Sequence, residues 1–198
     1  PQGRFLRKWG SEGVADGEFI RPQGLAIGSE GNVYVSDQGN DRIQVFDSQG
    51  KFLRKWGREG SSNEEFSWTQ GVAIDSEGNV YVSDRGNHRI QVFDSDGRFM
   101  RKWGRRGSGD GEFSQPQGVA VDRDGNVYVS EYGNYRIQVF DAQGRFLRKW
   151  GGRGSGDGEF SQPHGVGTDN TGRVYVSDNS NDRIQVFDSQ GKFLRKWG

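Results

Sequence analysis

The sequence predicts an all-β fold, a β-propeller built of four-stranded antiparallel blades, on the strength of three observations. Trp-Gly pairs at Trp56, Trp103, Trp150 and Trp197 recur every 47 residues, a period typical of propeller blades. Each period contains four short runs rich in β-branched and aromatic residues, which favour strands. Glycine-containing turns separate the runs, and connections this short require antiparallel neighbours.

The boundaries of the units follow from the same period. Residues 1–10 match the end of a unit, so we expect a lone outer strand at roughly Arg4–Trp9. Four complete units follow, at residues 11–57, 58–104, 105–151 and 152–198. No linker or shift in composition divides them, which predicts one domain over residues 1–198.

Each run within a unit has a predicted place in the blade. The first, Leu25–Ile27, is short and contains a small residue, as the crowded innermost strand requires, although Gly167 weakens it in the last unit. The second, Val33–Ser36, alternates so that its two valines share one face. The runs Arg42–Phe46 and Phe52–Trp56 complete a meander.

A sheet this thin cannot bury both faces alone, so we expect the units to stack around an axis. The connection between units contains a phenylalanine that we expect to fill the gap between neighbouring units. It recurs as Phe19, Phe66, Phe113 and Phe160.

The composition excludes several classes of site. The net charge is zero, from 27 basic and 27 acidic residues, so no overall attraction to nucleic acid or membrane is expected. The chain has no cysteine for disulfides or thiolate metal sites. No apolar run approaches the roughly 20 residues that span a bilayer, and Pro1 begins no signal-peptide pattern. The compartment stays undetermined.

The sequence of residues 118–151, GVAVDRDGNVYVSEYGNYRIQVFDAQGRFLRKWG, resembles the NHL repeat. The matching features are the Pro-x-Gly-Val-Ala start, the Asp-x-x-Gly-Asn-Val-Tyr-Val turn and strand, and the Gly-Asn-x-Arg-Ile-Gln-Val-Phe run. All four units carry the resemblance, and their near-identity is typical of a recently amplified or engineered array. The resemblance implies a propeller, most often of six blades.

Four units and one strand leave three possibilities open. The chain is a piece of a longer array, or it completes a ring between copies, two of which would supply eight blades, or it is a closed four-bladed monomer. In a closed monomer, the strand at Arg4–Trp9 and the strand at Phe193–Trp197 would compete for pairing with the same sheet edge. Because unpaired edges are prone to association, we favour a homo-oligomer.

An acid, an asparagine and an arginine recur at the turn between the second and third runs. A ring of charges could bind a ligand, but one set per unit is typical of a scaffold. We therefore interpret it as a turn held by an Arg–carboxylate pair. The sets are Asp37/Asn40/Arg42, Asp84/Asn87/Arg89, Glu131/Asn134/Arg136 and Asp178/Asn181/Arg183.

Four other patterns are weaker. The glycine-rich connection at Gly107–Gly111 lacks the helix and lysine of a phosphate loop, and the turn at Asp122–Asn126 lacks the closing carboxylate of a calcium loop. The basic fourth run, such as Arg54–Trp56, could contact RNA, but we interpret it as a solvated rim where Arg54 covers the Trp56 ring. His88 and His164 occupy different positions in their units, so no metal or cofactor is predicted.

Two positions that flank the turn between the second and third runs differ from unit to unit. If a ligand exists, this surface is the predicted place for it. The candidate residues are Gln38, Asp41, Arg85, His88, Tyr132, Tyr135, Asn179 and Asp182.

The leading functional hypothesis is a non-enzymatic scaffold for protein binding or self-assembly. The alternatives come from the resemblance: an RNA-binding propeller, as in the NHL domains of tripartite-motif proteins, or a lyase with a metal in its channel, as in the peptide-amidating lyase. The constellation of metal-binding histidines that the lyase resemblance implies is not visible in this sequence.

Overall fold

A computed structural model describes residues 3–198 as sixteen strands in four antiparallel sheets, each paired in chain order. Blade 1 contains β1 (Pro22–Ile27), β2 (Val33–Asp37), β3 (Arg42–Phe46) and β4 (Phe52–Trp56). Blade 2 contains β5 (Thr69–Ile74), β6 (Val80–Asp84), β7 (Arg89–Phe93) and β8 (Phe99–Trp103). Blade 3 contains β9 (Pro116–Val121), β10 (Val127–Glu131), β11 (Arg136–Phe140) and β12 (Phe146–Gly151). Blade 4 contains β13 (Pro163–Thr168), β14 (Val174–Asp178), β15 (Arg183–Phe187) and β16 (Phe193–Trp197). The predicted meander of four strands per unit is confirmed.

Short 3-10 turns at Gln38–Asn40 and Asn179–Asn181 are the helical segments of the described chain. Neither has the length or the apolar character to cross a membrane.

The alternation within strands gives each blade two apolar faces. We call the face turned toward the next blade in the chain the forward face, and the opposite one the rear face. The forward face of blade 1 includes Tyr34, Ile43 and Trp56, and these pack on the rear face of blade 2, which includes Phe66, Val80, Val82 and Phe93. The other two junctions repeat this packing.

The phenylalanine of each connection between two blades lies inside a junction, whereas Phe19, before blade 1, is half-buried. Phe66, Phe113 and Phe160 are fully buried and belong to the apolar clusters between successive blades. Their predicted role in filling the gap between units is therefore confirmed.

The inner strands of successive blades approach closely. A β-carbon at Gly24 would lie only 2.4 Å from the backbone oxygen of Gln70, so glycine is required there. Ser36 donates its hydroxyl hydrogen to that same oxygen at 2.5 Å. Ser83 repeats this bond with Gln117 at the next junction.

The four blades form an arc with two open ends. On the rear face of blade 1, Leu25 is 59% exposed, whereas its equivalent Val72 in blade 2 is 5% exposed. On the forward face of blade 4, Ile184 and Tyr175 are half-buried, whereas Ile137 of blade 3 is fully buried. A closed four-bladed monomer would cover both faces, so it does not describe this chain.

The predicted strand at Arg4–Trp9 is corrected by the structure. Residues 3–10 adopt no strand, because no blade precedes blade 1 within residues 3–198 to pair with them. The segment nevertheless packs on blade 1, with the ring of Trp9 centred 6.1 Å from that of Phe46. The first two residues of the predicted segment 1–10 lie outside the described residues.

Candidate functional site

The acid–Asn–Arg sets are structural, as the repetition indicated. The buried carboxylate of Asp37 accepts hydrogen bonds from the backbone N–H of Ile20 (2.7 Å), Asn40 Nδ2 (2.8 Å) and Arg42 Nε (2.7 Å). The other nitrogens of Arg42 donate to three carbonyl oxygens of the connection that precedes blade 1, those of Val14, Ala15 and Glu18. Each set therefore fixes a connection to its blade.

The buried carboxyl groups of these sets differ from blade to blade in the direction of their pKa shift. Burial raises the pKa of Asp84 and of Glu131, because a charge without water is costly. At the open end, burial also acts to raise the pKa of Asp178, but hydrogen bonds from Asn181 and from the N–H groups of Ser161 and Gln162 outweigh it and lower that pKa.

The glutamine of the third strand completes the set, and sequence reasoning missed it. Gln44 Nε2 donates to the Glu18 carbonyl at 2.7 Å, and its Oε1 accepts the Gly17 N–H at 2.9 Å. The sequence contains evidence for this structural role, because the glutamine recurs at the same place in every unit.

Two of the candidate residues link consecutive blades. Asp41 Oδ1 accepts the backbone N–H of Trp68 at 2.6 Å, and His88 Nδ1 accepts that of Gln115 at 3.1 Å. Burial, followed by the positive charge of Arg106, lowers the pKa of His88, which keeps Nδ1 free to accept a hydrogen bond.

Two further candidates meet in a stack that joins blades 2 and 3. The guanidinium carbon of Arg85 lies 5.4 Å from the centre of the Trp68 ring and 5.8 Å from that of Tyr132. Arg85 Nη2 also donates to Gln115 Oε1 at 3.1 Å. We call this group the Trp68–Arg85–Tyr132 stack. Trp68 is 57% exposed, so one aromatic surface remains open to solvent.

The other candidates do not join the stack. The ring of Tyr135 lies under the Arg153 guanidinium at 5.5 Å. Gln38 lies in blade 1, and the exposed Asn179 and Asp182 lie in blade 4. Sequence reasoning missed Trp68 because it stands in the connection before an inner strand, although that position also varies, as Arg21, Trp68, Gln115 and Gln162.

In blade 4 the guanidinium carbon of Arg195 lies 5.7 Å from the centre of the Trp197 ring, as the strand alternation predicts. In blades 1 and 2 the basic outer strands meet a different ring. The Arg54 guanidinium lies 6.0 Å from the centre of the Tyr34 ring, rather than over Trp56 as the strand alternation suggested. The physical reason is that Trp56 turns into the junction with blade 2, where it packs on Phe93 at 5.6 Å.

The inner strands of the four blades line a cavity of about 200 Å³ that includes Gln23, Gln70, Gln117 and His164. Burial and the charge of Arg85 lower the pKa of His164. Residues 3–198 contain no cluster of three His, Asp or Glu side chains that could hold a metal ion. In the turn at Asp122, the carboxylate accepts the N–H groups of Asp124 and Asn126, as a plain turn requires.

The two open ends of the arc differ from the internal junctions in how they are filled. A cavity of about 330 Å³ on blade 4 is lined by Ser177, Ile184, Trp197 and Gly198. At the internal junctions the equivalent place holds a phenylalanine: a β-carbon at Gly57 would lie 2.6 Å from the Phe66 ring. The corresponding Phe19 at the open end of blade 1 is only half-buried.

The four-stranded blades and their repeated turn sets match a known family. The model of the NHL repeat matches residues 19–46, 66–93, 113–140 and 160–187. The chain belongs to the NHL-repeat family.

Relatives share single repeats with this NHL protein. The B-box type zinc finger protein ncl-1 of Caenorhabditis elegans is 45% identical over 42 residues, which are 21% of this chain and 5% of the relative. The E3 ubiquitin-protein ligase TRIM71 of Bos taurus is 50% identical over 38 residues, 19% of this chain and 4% of the relative. The matches thus span a small part of the relatives' length.

A solved streptogramin B lyase structure has the same fold. It aligns with a TM-score of 0.69 and 16% identity, over 89% of this chain and 54% of that chain. At this identity the likeness concerns the fold alone.

Proposed function

We propose that this NHL protein is a non-enzymatic propeller scaffold that assembles with a second copy of itself to complete its ring. One observation supports the proposal: the two open ends of the arc carry the same residue types as the two faces that meet at each of the three internal junctions. The forward face of blade 4 and the rear face of blade 1 have equivalents that pack on each other at each internal junction.

The match between the open faces follows residue by residue from the repeat. At the junction of blades 3 and 4, Tyr128 and Ile137 pack with Phe160, Val174 and Val176. At the open ends, Tyr175 and Ile184 would meet Phe19, Val33 and Val35, which are the same residue types in the same order. The closing junctions would therefore use the same residue types as the internal junctions.

The exposed apolar surface favours assembly. Leu25 and Ile27 are 59% and 65% exposed on the rear face of blade 1, and burying a side chain of this kind contributes about 1.5–3 kcal/mol. A head-to-tail contact of this type gives a ring when the rotation closes, and an open chain of copies when it does not. Two copies would supply eight blades.

Native mass spectrometry and sedimentation over a wide concentration series test the proposal. We expect a species of twice the 22.2 kDa chain mass. Leu25→Asp places a charge on the open rear face and should leave monomers. Leu147→Asp is the matched control, since Leu147 is also exposed but lies in the outer strand of blade 3. A wild-type monomer at every concentration, a ladder of higher masses, or a dimeric Leu25→Asp variant would each contradict closure by two copies.

A second candidate function, single-stranded RNA binding, is favoured by the Trp68–Arg85–Tyr132 stack. Exposed aromatic rings and guanidinium planes can stack on unpaired bases. Binding of a short labelled RNA should weaken with salt and fall about tenfold or more in Trp68→Ala, given about 1–3 kcal/mol per stacked base. Leu147→Ala removes an exposed side chain that lies neither in the stack nor on an open face, and it serves as the control. The absence of a salt-sensitive shift in the wild type would remove this candidate.

A further inference from the structure

The segment Arg4–Trp9 lies on the rear face of blade 1, at the place where the outer strand of a preceding blade would pack. The ring of Trp9 lies 6.1 Å from Phe46 with an interplanar angle of 49°. In the next junction, the outer-strand residue Trp56 lies 5.6 Å from Phe93 at 48°. Arg7 Nη1 donates to the Ser48 carbonyl at 3.0 Å, as Arg54 donates to the carbonyl of Ser95. We call this place on blade 1 the outer-strand position.

The residues that follow the segment repeat the internal geometry as well. A β-carbon at Gly10 would lie 2.7 Å from the Phe19 ring, and one at Gly57 would lie 2.6 Å from Phe66. Phe19 pairs with Glu12 in a parallel bridge, as Phe66 pairs with Glu59. The outer-strand position is therefore filled by this chain's own residues, from Arg7 through Gly10.

A second copy would bring another strand to this position. In the three internal junctions, the outer strand of one blade places its tryptophan on the phenylalanine that ends the third strand of the next blade. Blade 4 of a second copy would use β16 for this contact and place Trp197 on Phe46. The sequence of β16 is FLRKW, which is identical to that of residues 5–9.

We propose that ring closure is a competition between two identical strands for the outer-strand position. The proposal rests on the proposed function, because the competing strand belongs to a second copy. A close-packed junction has room for one indole beside Phe46, so each closing junction must release either Arg4–Trp9 or β16 of the incoming copy.

Either outcome leaves a complete blade. When β16 is released, Arg4–Trp9 can pair with β15 of the second copy in the register that β16 uses, in which Ile184 is opposite the tryptophan and Val186 opposite the arginine. When Arg4–Trp9 is released, β16 keeps its pairing and gains the contacts with blade 1. The full chain thus loses the contacts of one docked strand at each closing junction.

This loss makes a specific prediction for the dissociation constant of the dimer. Deletion of residues 1–9 removes one of the two competing strands. The dissociation constant of the dimer should therefore fall about tenfold or more. Trp9→Ala should act in the same direction without truncation. The double variant Trp9→Ala/Trp197→Ala leaves no indole for the outer-strand position and should bind more weakly than the wild type. Leu6→Ala is the matched control, since Leu6 is 81% exposed and lies in the same segment.

Sedimentation equilibrium on these four variants and the wild type separates the possible failures. If the wild type dimerises and the deletion of residues 1–9 leaves the dissociation constant unchanged or raises it, the competition is wrong and the proposed function stands. If Leu6→Ala tightens the dimer as much as Trp9→Ala, the outer-strand position is not the cause and the proposal is also wrong. If no variant dimerises, both the assembly and the competition are wrong.

Discussion

Ser130 of blade 3 donates its hydroxyl hydrogen to the backbone oxygen of His164 in blade 4, at an O···O distance of 2.5 Å. The same hydroxyl oxygen accepts the N–H of Gly118 within its own blade at 2.9 Å. One side chain thus links two inner strands of adjacent blades. Ser36 and Ser83 make the equivalent bonds at the other two junctions.

Replacing one of these serines should destabilise a junction. Ser83→Ala leaves the half-buried Gly71 N–H and the buried Gln117 oxygen without this partner, which costs about 1–3 kcal/mol. Ser177 is the matched control, because no blade follows blade 4 within residues 3–198. Urea unfolding on a Leu25→Asp background, in which we expect a monomer, should give a clearly smaller loss for Ser177→Ala. Equal losses would show that the bond across the junction contributes nothing.

The connecting phenylalanines should differ in importance along the chain. Phe113 is fully buried between blades 2 and 3, so Phe113→Ala should cost about 3–5 kcal/mol through lost contacts and a cavity. Phe19 is only half-buried at the open end, so Phe19→Ala should cost less in the same monomeric background. The free energy of unfolding in urea measures both losses, and a larger loss for Phe19→Ala would contradict the open arc.

The buried ion pairs should be sensitive to the loss of one partner. Arg89 Nε lies 2.7 Å from Asp84 Oδ2, and the Asp84 side chain is fully buried. Arg89→Ala removes this partner and three hydrogen bonds to the preceding connection, so we expect a loss of about 3–5 kcal/mol. Lys149→Ala breaks the exposed pair with Asp110 and should cost about 0–1 kcal/mol. Similar losses in thermal unfolding would contradict the structural role of the set.

Features that recur in every unit were predictable, including the phenylalanine that fills the gap between units, whereas the contacts of residues that vary from unit to unit were not. Alternation and glycine turns predict the strands, and repetition alone identified Asp37, Asn40 and Arg42 as structural. The Trp68–Arg85–Tyr132 stack joins residues from separate units, and its contacts depend on how the blades are placed. The same dependence on blade placement explains Arg54. Its guanidinium lies over Tyr34, because Trp56 packs into the junction with the next blade. The open ends depend on the curvature of the arc, which no local pattern encodes.

His88 should make the junction of blades 2 and 3 sensitive to pH. Its neutral Nδ1 accepts the Gln115 N–H at 3.1 Å, and burial together with Arg106 lowers its pKa below the usual 6.5, against the opposing effect of Asp84. For a histidine whose pKa falls on folding, the unfolded chain takes up the proton more readily. The stability contributed by neutral His88 is therefore complete above the unfolded pKa and is lost as the pH falls through the folded pKa.

The chain offers a matched replacement for this histidine. Asp41 makes the equivalent bond in blade 1 with a carboxylate, so His88→Asp should keep the hydrogen bond without titrating near neutral pH. His164→Gln, which restores the residue of the other three units, removes the second histidine from both proteins. On that background, lowering the pH from about 7.5 to about 5 should cost the protein with His88 up to about 1 kcal/mol more than His88→Asp, the worth of one hydrogen bond. Parallel stability profiles for the two proteins would show that the imidazole is not a required acceptor, and the link between blades 2 and 3 would then depend on the serine bond and on Phe113.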